Sequence, residues 1–148
     1  MLNSFLDWFK SEAIEPTEQT TDPADRAAAA LMVEVVMADD QFDDEEKAKL
    51  PALLKAHTGL TTQECMALIK IAEAEVDHAT SLHQFTRHLN ESFDIDQKLS
   101  LVFTLWCIAF ADGHLDRYEE HIIRKISDLL HLRHSEFMKM KVKAQNAQ

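Results

Sequence analysis

The sequence predicts an all-α fold, a compact bundle of seven to eight helices with an internal duplication. Two observations carry this. The 148 residues include only two glycines and three prolines, while Ala, Leu, Glu, Lys and Gln, which enter helices at little cost, are abundant. One acidic phrase also occurs twice. Ala38-Asp39-Asp40-Gln41-Phe42-Asp43-Asp44-Glu45-Glu46 returns as Ala111-Asp112-Gly113-His114-Leu115-Asp116-Arg117-Tyr118-Glu119, so Asp, Asp and Glu recur in the frame D-x-x-x-D-x-x-E. An apolar stretch precedes each copy and a helix-patterned stretch follows it. Leu50, Leu53 and Leu60 correspond to Ile123, Ile126 and Leu132 across a one-residue gap, and Thr61-Thr62-Gln63-Glu64 aligns with Arg133-His134-Ser135-Glu136. The repeated unit is therefore helix, acidic loop, helix, turn, helix. Two copies suit a pseudo-symmetric globule better than a solenoid, which needs about three to cover its core.

In chain order, Leu2, Phe5, Leu6 and Phe9 fall at i, i+3, i+4 and i+7 and mark one stripe of a short amphipathic helix. The polar run Glu15 to Asp22 is a linker, so residues 1–22 divide from a helical domain over 23–148. Asp22-Pro23 is a helix start, Asp as N-cap and Pro at the first helical position, and the segment Ala24 to Ala38 is helical. Asp43 with Glu46 has capping-box spacing for the next helix, within which Pro51 sets a kink or a nearby break, and Gly59 marks its end. Further helices are expected from Thr61 or Thr62 to about Asp77, from Ser81 to Phe93 and from about Asp94 to Ala111. Asp116 with Glu119 repeats the capping box for a helix to about Leu130, and a last helix covers about His134 to Ala144. Phe103, Trp106, Phe110, Met32 and Met66 fall at helical spacing and are expected in the core.

The net charge of −11 argues against nucleic acid as a partner, because phosphate contacts need clustered Lys and Arg. A metal cation or a basic protein suits it better. Cys65 and Cys107 lie in apolar helical patterns with no C-x-x-C pair, as buried thiols in a reducing compartment do. The longest apolar stretch, Leu99 to Ala111, is short of the roughly 20 residues that cross a bilayer. No basic n-region leads an apolar run at the start. A cytoplasmic location is expected, with membrane binding disfavoured because the first helix lacks a Lys/Arg-rich polar face.

The second acidic phrase, with the apolar run Phe103-Thr104-Leu105-Trp106-Cys107-Ile108-Ala109-Phe110 before it and its echo from Ala38-Asp39, resembles the TerB-like family of tellurite-resistance-associated proteins, acidic all-helical bacterial domains. The resemblance covers roughly residues 24–143. It implies that fold and an association with tellurite or metal stress. The first copy departs from the pattern in carrying Asp40 where the second has Gly113. Tellurite is an anion and no residue here shows oxyanion chemistry, so a chain of −11 is a poor direct receptor for it.

The two acidic phrases are the candidate sites. Asp112, Asp116 and Glu119, with loop carbonyls and His114, offer oxygen and imidazole ligands to a divalent cation, and Asp39, Asp43 and Glu46 offer a second set. Carboxylate and carbonyl oxygens suit Ca²⁺, Mg²⁺ or Mn²⁺. Neither phrase is an EF-hand loop, which needs D-x-D-x-D-G spacing. Helix capping alone accounts for Asp43/Glu46 and Asp116/Glu119. It does not account for Asp39 and Asp112, which follow helix C-termini where the dipole disfavours a carboxylate. Among the eight histidines, His78, His83 and His88 are spaced by five, which does not make a zinc face, and H-E-x-x-H is absent. With no G-x-S-x-G and no glycine-rich phosphate loop, no enzyme activity is expected. The rival function is a metal-free protein-interaction module for an unknown protein partner, docking through its acidic face or through Leu2, Phe5, Leu6 and Phe9.

Overall fold

The computed structural model describes residues 23–38, 44–75, 77–111 and 117–147, without the side chains at 38, 45–47 and 117–118. Among these residues there are seven helices and no strand: α1 (Pro23–Ala38), α2 (Asp44–Thr58), α3 (Thr62–Ala74), α4 (His78–Ser92), α5 (Ile95–Phe110), α6 (Arg117–Leu129) and α7 (His134–Asn146).

The core is built around α1 and α5. From Ala27 to Val33 every residue of α1 is at most 2% exposed. Seven consecutive positions cover the whole circumference of a helix, so α1 is surrounded rather than laid on a surface. It packs against α2, α3, α4 and α5, and its alanines let those neighbours come close. α5 buries Leu101, Val102, Leu105, Trp106, Ile108 and Ala109 and carries α7 and α6 on its remaining sides. Trp106 is its largest anchor. Its ring lies 5.1 Å from Phe137 of α7 and 5.6 Å from Phe110, with Lys141 Nζ 5.4 Å over it. That lysine is held there by Glu120 of α6 at 2.8 Å.

The duplication extends to backbone geometry. α1 and α5 are each 16 residues long, and α3 and α7 are each 13. The turns before α3 and α7 each place one residue in the left-handed region, Gly59 at φ 74° and His131 at φ 62°. Glycine takes that conformation freely and an L side chain does so at a cost. Each turn then inserts a buried leucine, Leu60 or Leu132, and opens the next helix with a reach-back carboxylate. Glu64 Oε1 accepts from Thr61 N at 2.9 Å, and Glu136 Oε1 accepts from Arg133 N at 2.8 Å. The Thr61 hydroxyl completes the first box by accepting from Glu64 N. Arg133 has no acceptor to offer, so the second box has only this reverse half.

Three expectations are corrected. α3 stops at Ala74, and α4 starts at His78 rather than Ser81, because the Asp77 carboxylate caps it by accepting from Thr80 N at 3.0 Å and from the Thr80 hydroxyl at 2.7 Å. Of the two alternatives for Pro51 the break does not occur, since α2 runs through it to Thr58. Met66 is 49% exposed, since the buried stripe of α3 runs through Cys65, Leu68, Ile69 and Ala72 instead.

Candidate functional site

Both acidic phrases occupy equivalent places in the chain. The first runs from the end of α1 into α2 and the second from the end of α5 into α6. Asp39 and Asp43 of the first, and Asp112, His114 and Asp116 of the second, lie outside the described residues, as do Leu2, Phe5, Leu6 and Phe9. Glu46 is in α2, but its side chain lies outside the description. Glu119 is the candidate ligand whose side chain is described. It stands half-buried in the first turn of α6 and lines an apolar cleft with Met32 and Val35 of α1, Leu105 of α5, and Ile122, Ile123 and Ile126. The last turns of α1, which lead into the first acidic phrase, therefore meet the first turn of α6, which leads out of the second. Among the described residues no three His, Cys, Asp or Glu side chains gather closely enough to hold a metal ion.

Two further charged contacts among the described residues hold α1 to its neighbours. Arg26 Nη1 donates to Glu64 Oε2 of α3 at 2.9 Å, and the Thr104 hydroxyl of α5 donates to Asp25 Oδ1 at 2.9 Å. Glu64 is pushed up by burial, but the Thr61 amide, Arg26 and the Thr61 hydroxyl outweigh this and hold its carboxyl below the usual range.

A buried acid that pattern reading passed over is Glu34, in the apolar run Leu31 to Met37. Its side chain is 4% exposed and its Oε2 lies 3.1 Å from His78 Nδ1, at the start of α4. The contact is close but lacks hydrogen-bond geometry, and neither carboxylate oxygen has another hydrogen-bond partner. Burial pushes the Glu34 carboxyl up, and His78 pulls it part of the way back. The available signal was one glutamate in the otherwise apolar run Ala27 to Ala38, since such a charge is seldom buried without a partner. His78 is that partner.

The cysteines are free thiols, Cys65 buried and Cys107 half-buried. Burial pushes Cys65 up to about 11 and raises Cys107 as well. Both are therefore poor nucleophiles at neutral pH. No described helix is long and apolar enough to cross a membrane.

A protein-family model described as tellurite resistance protein TerB matches residues 25–142. No curated protein and no solved structure matches the chain.

Proposed function

The chain belongs to the TerB family, a tellurite-resistance-associated family, and from that premise we propose that it is a non-catalytic cytoplasmic domain that binds a divalent cation at its acidic loops. The observation that supports this reading is that Glu119, from the second phrase, lines a cleft with Met32 and Val35 of α1, the helix that leads into the first. Carboxylates gathered at such a loop repel one another, and a cation relieves the repulsion. Their oxygen-rich chemistry favours Ca²⁺, Mg²⁺ or Mn²⁺ over softer ions. Asp112, Asp116 and Glu119 would hold an ion at the second loop, with His114 as a further donor, and Asp39, Asp43 and Glu46 would do so at the first. A bound ion would fix each loop between its flanking helices and so couple ion level to the shape of that end of the bundle.

The test is calorimetric titration of chelator-treated protein with Ca²⁺, Mg²⁺, Mn²⁺ and Zn²⁺, beside an Asp112→Asn/Asp116→Asn variant. Saturable binding by the wild type that is lost in the variant supports the reading. If no ion binds and the variant merely melts at a lower temperature, the acidic phrases serve as helix caps. A protein partner on the acidic face then becomes the better account.

A further inference from the structure

The Glu34–His78 contact joins two helices that have few other reasons to stay together at that point. α1 is gripped firmly by α5, α3 and α2, and its contact with α4 is among its slightest. Glu34 lies in the completely buried middle of α1, whereas His78 is the first residue of α4, and its side chain is 27% exposed. A carboxylate taken out of water beside an imidazole at 3.1 Å is tolerable while the two hold one proton between them, since the pair is then neutral overall. We infer that Glu34 and His78 form a proton-retaining latch that keeps the N-terminus of α4 on α1 and releases it when the shared proton is lost.

The proton balance is simple. With one proton the pair is carboxylate and imidazolium, or carboxylic acid and neutral imidazole. Transfer of that proton to solvent through the exposed side of His78 leaves a buried carboxylate, a neutral imidazole and one uncompensated negative charge. Burial opposes that state, and Glu75, in the connection before α4, adds a like charge, which the Ser81 hydroxyl offsets only in small part. The other charged contacts of α1 lie elsewhere on it. Arg26 with Glu64 of α3 and Asp25 with Thr104 of α5 are eight and nine positions up the helix, about 12 Å at 1.5 Å per residue. Glu119 of α6 stands on the neighbouring Met32/Val35 face. Among the described residues, no cation other than His78 acts on Glu34. The off-axis contact makes the latch weak enough to yield, because a hydrogen bond loses strength steeply away from linearity.

The latch is tested by amide hydrogen exchange of the full-length protein across pH, with rates corrected for intrinsic base catalysis. Amides from Ser81 to Phe85 should lose about tenfold in protection from about pH 6 to pH 9, while those of Leu101 to Leu105 in α5 stay constant. Glu34→Gln and His78→Gln should each abolish that pH dependence. Protection at Ser81 to Phe85 that does not change with pH, or a pH dependence that survives Glu34→Gln, overturns the inference. Should either variant fail to fold, the ¹³C shift of the Glu34 carboxyl in the wild type decides. A titration of that shift in step with the exchange supports the latch, and a shift constant over the range refutes it.

Discussion

Replacing Trp106 probes the centre of the fold, and its two substitutions are expected to differ sharply. The side chain is fully buried, packed on Phe137 and Phe110 and covered by Lys141. Trp106→Ala leaves a cavity where α5 and α7 meet and should cost about 3–5 kcal/mol, the range for large aromatic truncations in cores. At about 2–4 °C per kcal/mol for a chain of this size, the melting temperature should fall by roughly 6–20 °C. Trp106→Phe is another matter. The indole Nε1 is buried without a hydrogen-bond partner, a burden of about 1–3 kcal/mol in the native protein. Phenylalanine removes that N–H while keeping a ring against Phe137 and Phe110, so the lost area is offset. The Phe variant should lie within about 1.5 kcal/mol of wild type. Urea unfolding followed by far-ultraviolet circular dichroism measures both, since Trp8 would complicate a fluorescence signal. Equal losses for the two variants would refute the argument from the unpaired N–H. A loss below about 1 kcal/mol for Trp106→Ala would refute the placement of the ring in the core.

Glu34 and Glu64 should give opposite pH signatures. Glu34 has its folded value raised, chiefly by burial. Its stability contribution is therefore present below the unfolded value of 4.5 and lost as pH rises through the folded one, so Glu34→Gln should flatten a decline in urea midpoint above about pH 5. Glu64 has its folded value lowered, because hydrogen bonds from Thr61 and Arg26 outweigh burial. Its contribution is present above 4.5 and lost as pH falls through the folded value, so Glu64→Gln should flatten the acid limb of the same curve. Either variant showing the wild-type slope on its own limb would contradict the assignment. Glu64→Ala should also cost about 1–3 kcal/mol at neutral pH, since it removes the α3 capping box and the Arg26 contact together, and a neutral result by urea unfolding would count against both roles. Cys65, buried and with its thiol pushed up to about 11, should stay unlabelled by an aromatic disulfide reagent at about pH 8 until the protein unfolds. Labelling as fast as a free thiol would show that α3 does not shield it.

Much of the helical layout was legible because it depends on local chemistry. Asp94 caps α5 with Gln97 in a reciprocal box, and Gly59 closes α2 in the left-handed region, both as the residue types imply. The alignment of Thr61–Glu64 with Arg133–Glu136 also holds, down to the same reach-back carboxylate. His131 was not legible as the counterpart of Gly59, since nothing in a histidine announces a positive φ. The start of α4 was missed because Asp77 and Ser81 are both acceptable caps, and only the chain's path between α3 and α4 chooses between them. Met66 was misplaced for a related reason. A helix with apolar residues on more than one face does not say which of them its neighbours cover. The candidate cation ligands were legible as a repeated phrase, and the structure adds that Glu119 meets the end of α1 at one cleft.

The sequence by itself therefore determined the helical class, the duplication and most helix ends, because propensity, capping and periodicity act over a few residues and need no partner. Tertiary structure alone decided that α1 is enclosed on all sides, that Glu34 meets His78 across 44 positions of chain, and that the last turns of α1 meet Glu119 of α6. Those facts depend on how helices cross. Helix crossing is set by the packing of whole surfaces from distant parts of the chain, and no short stretch of residues encodes it.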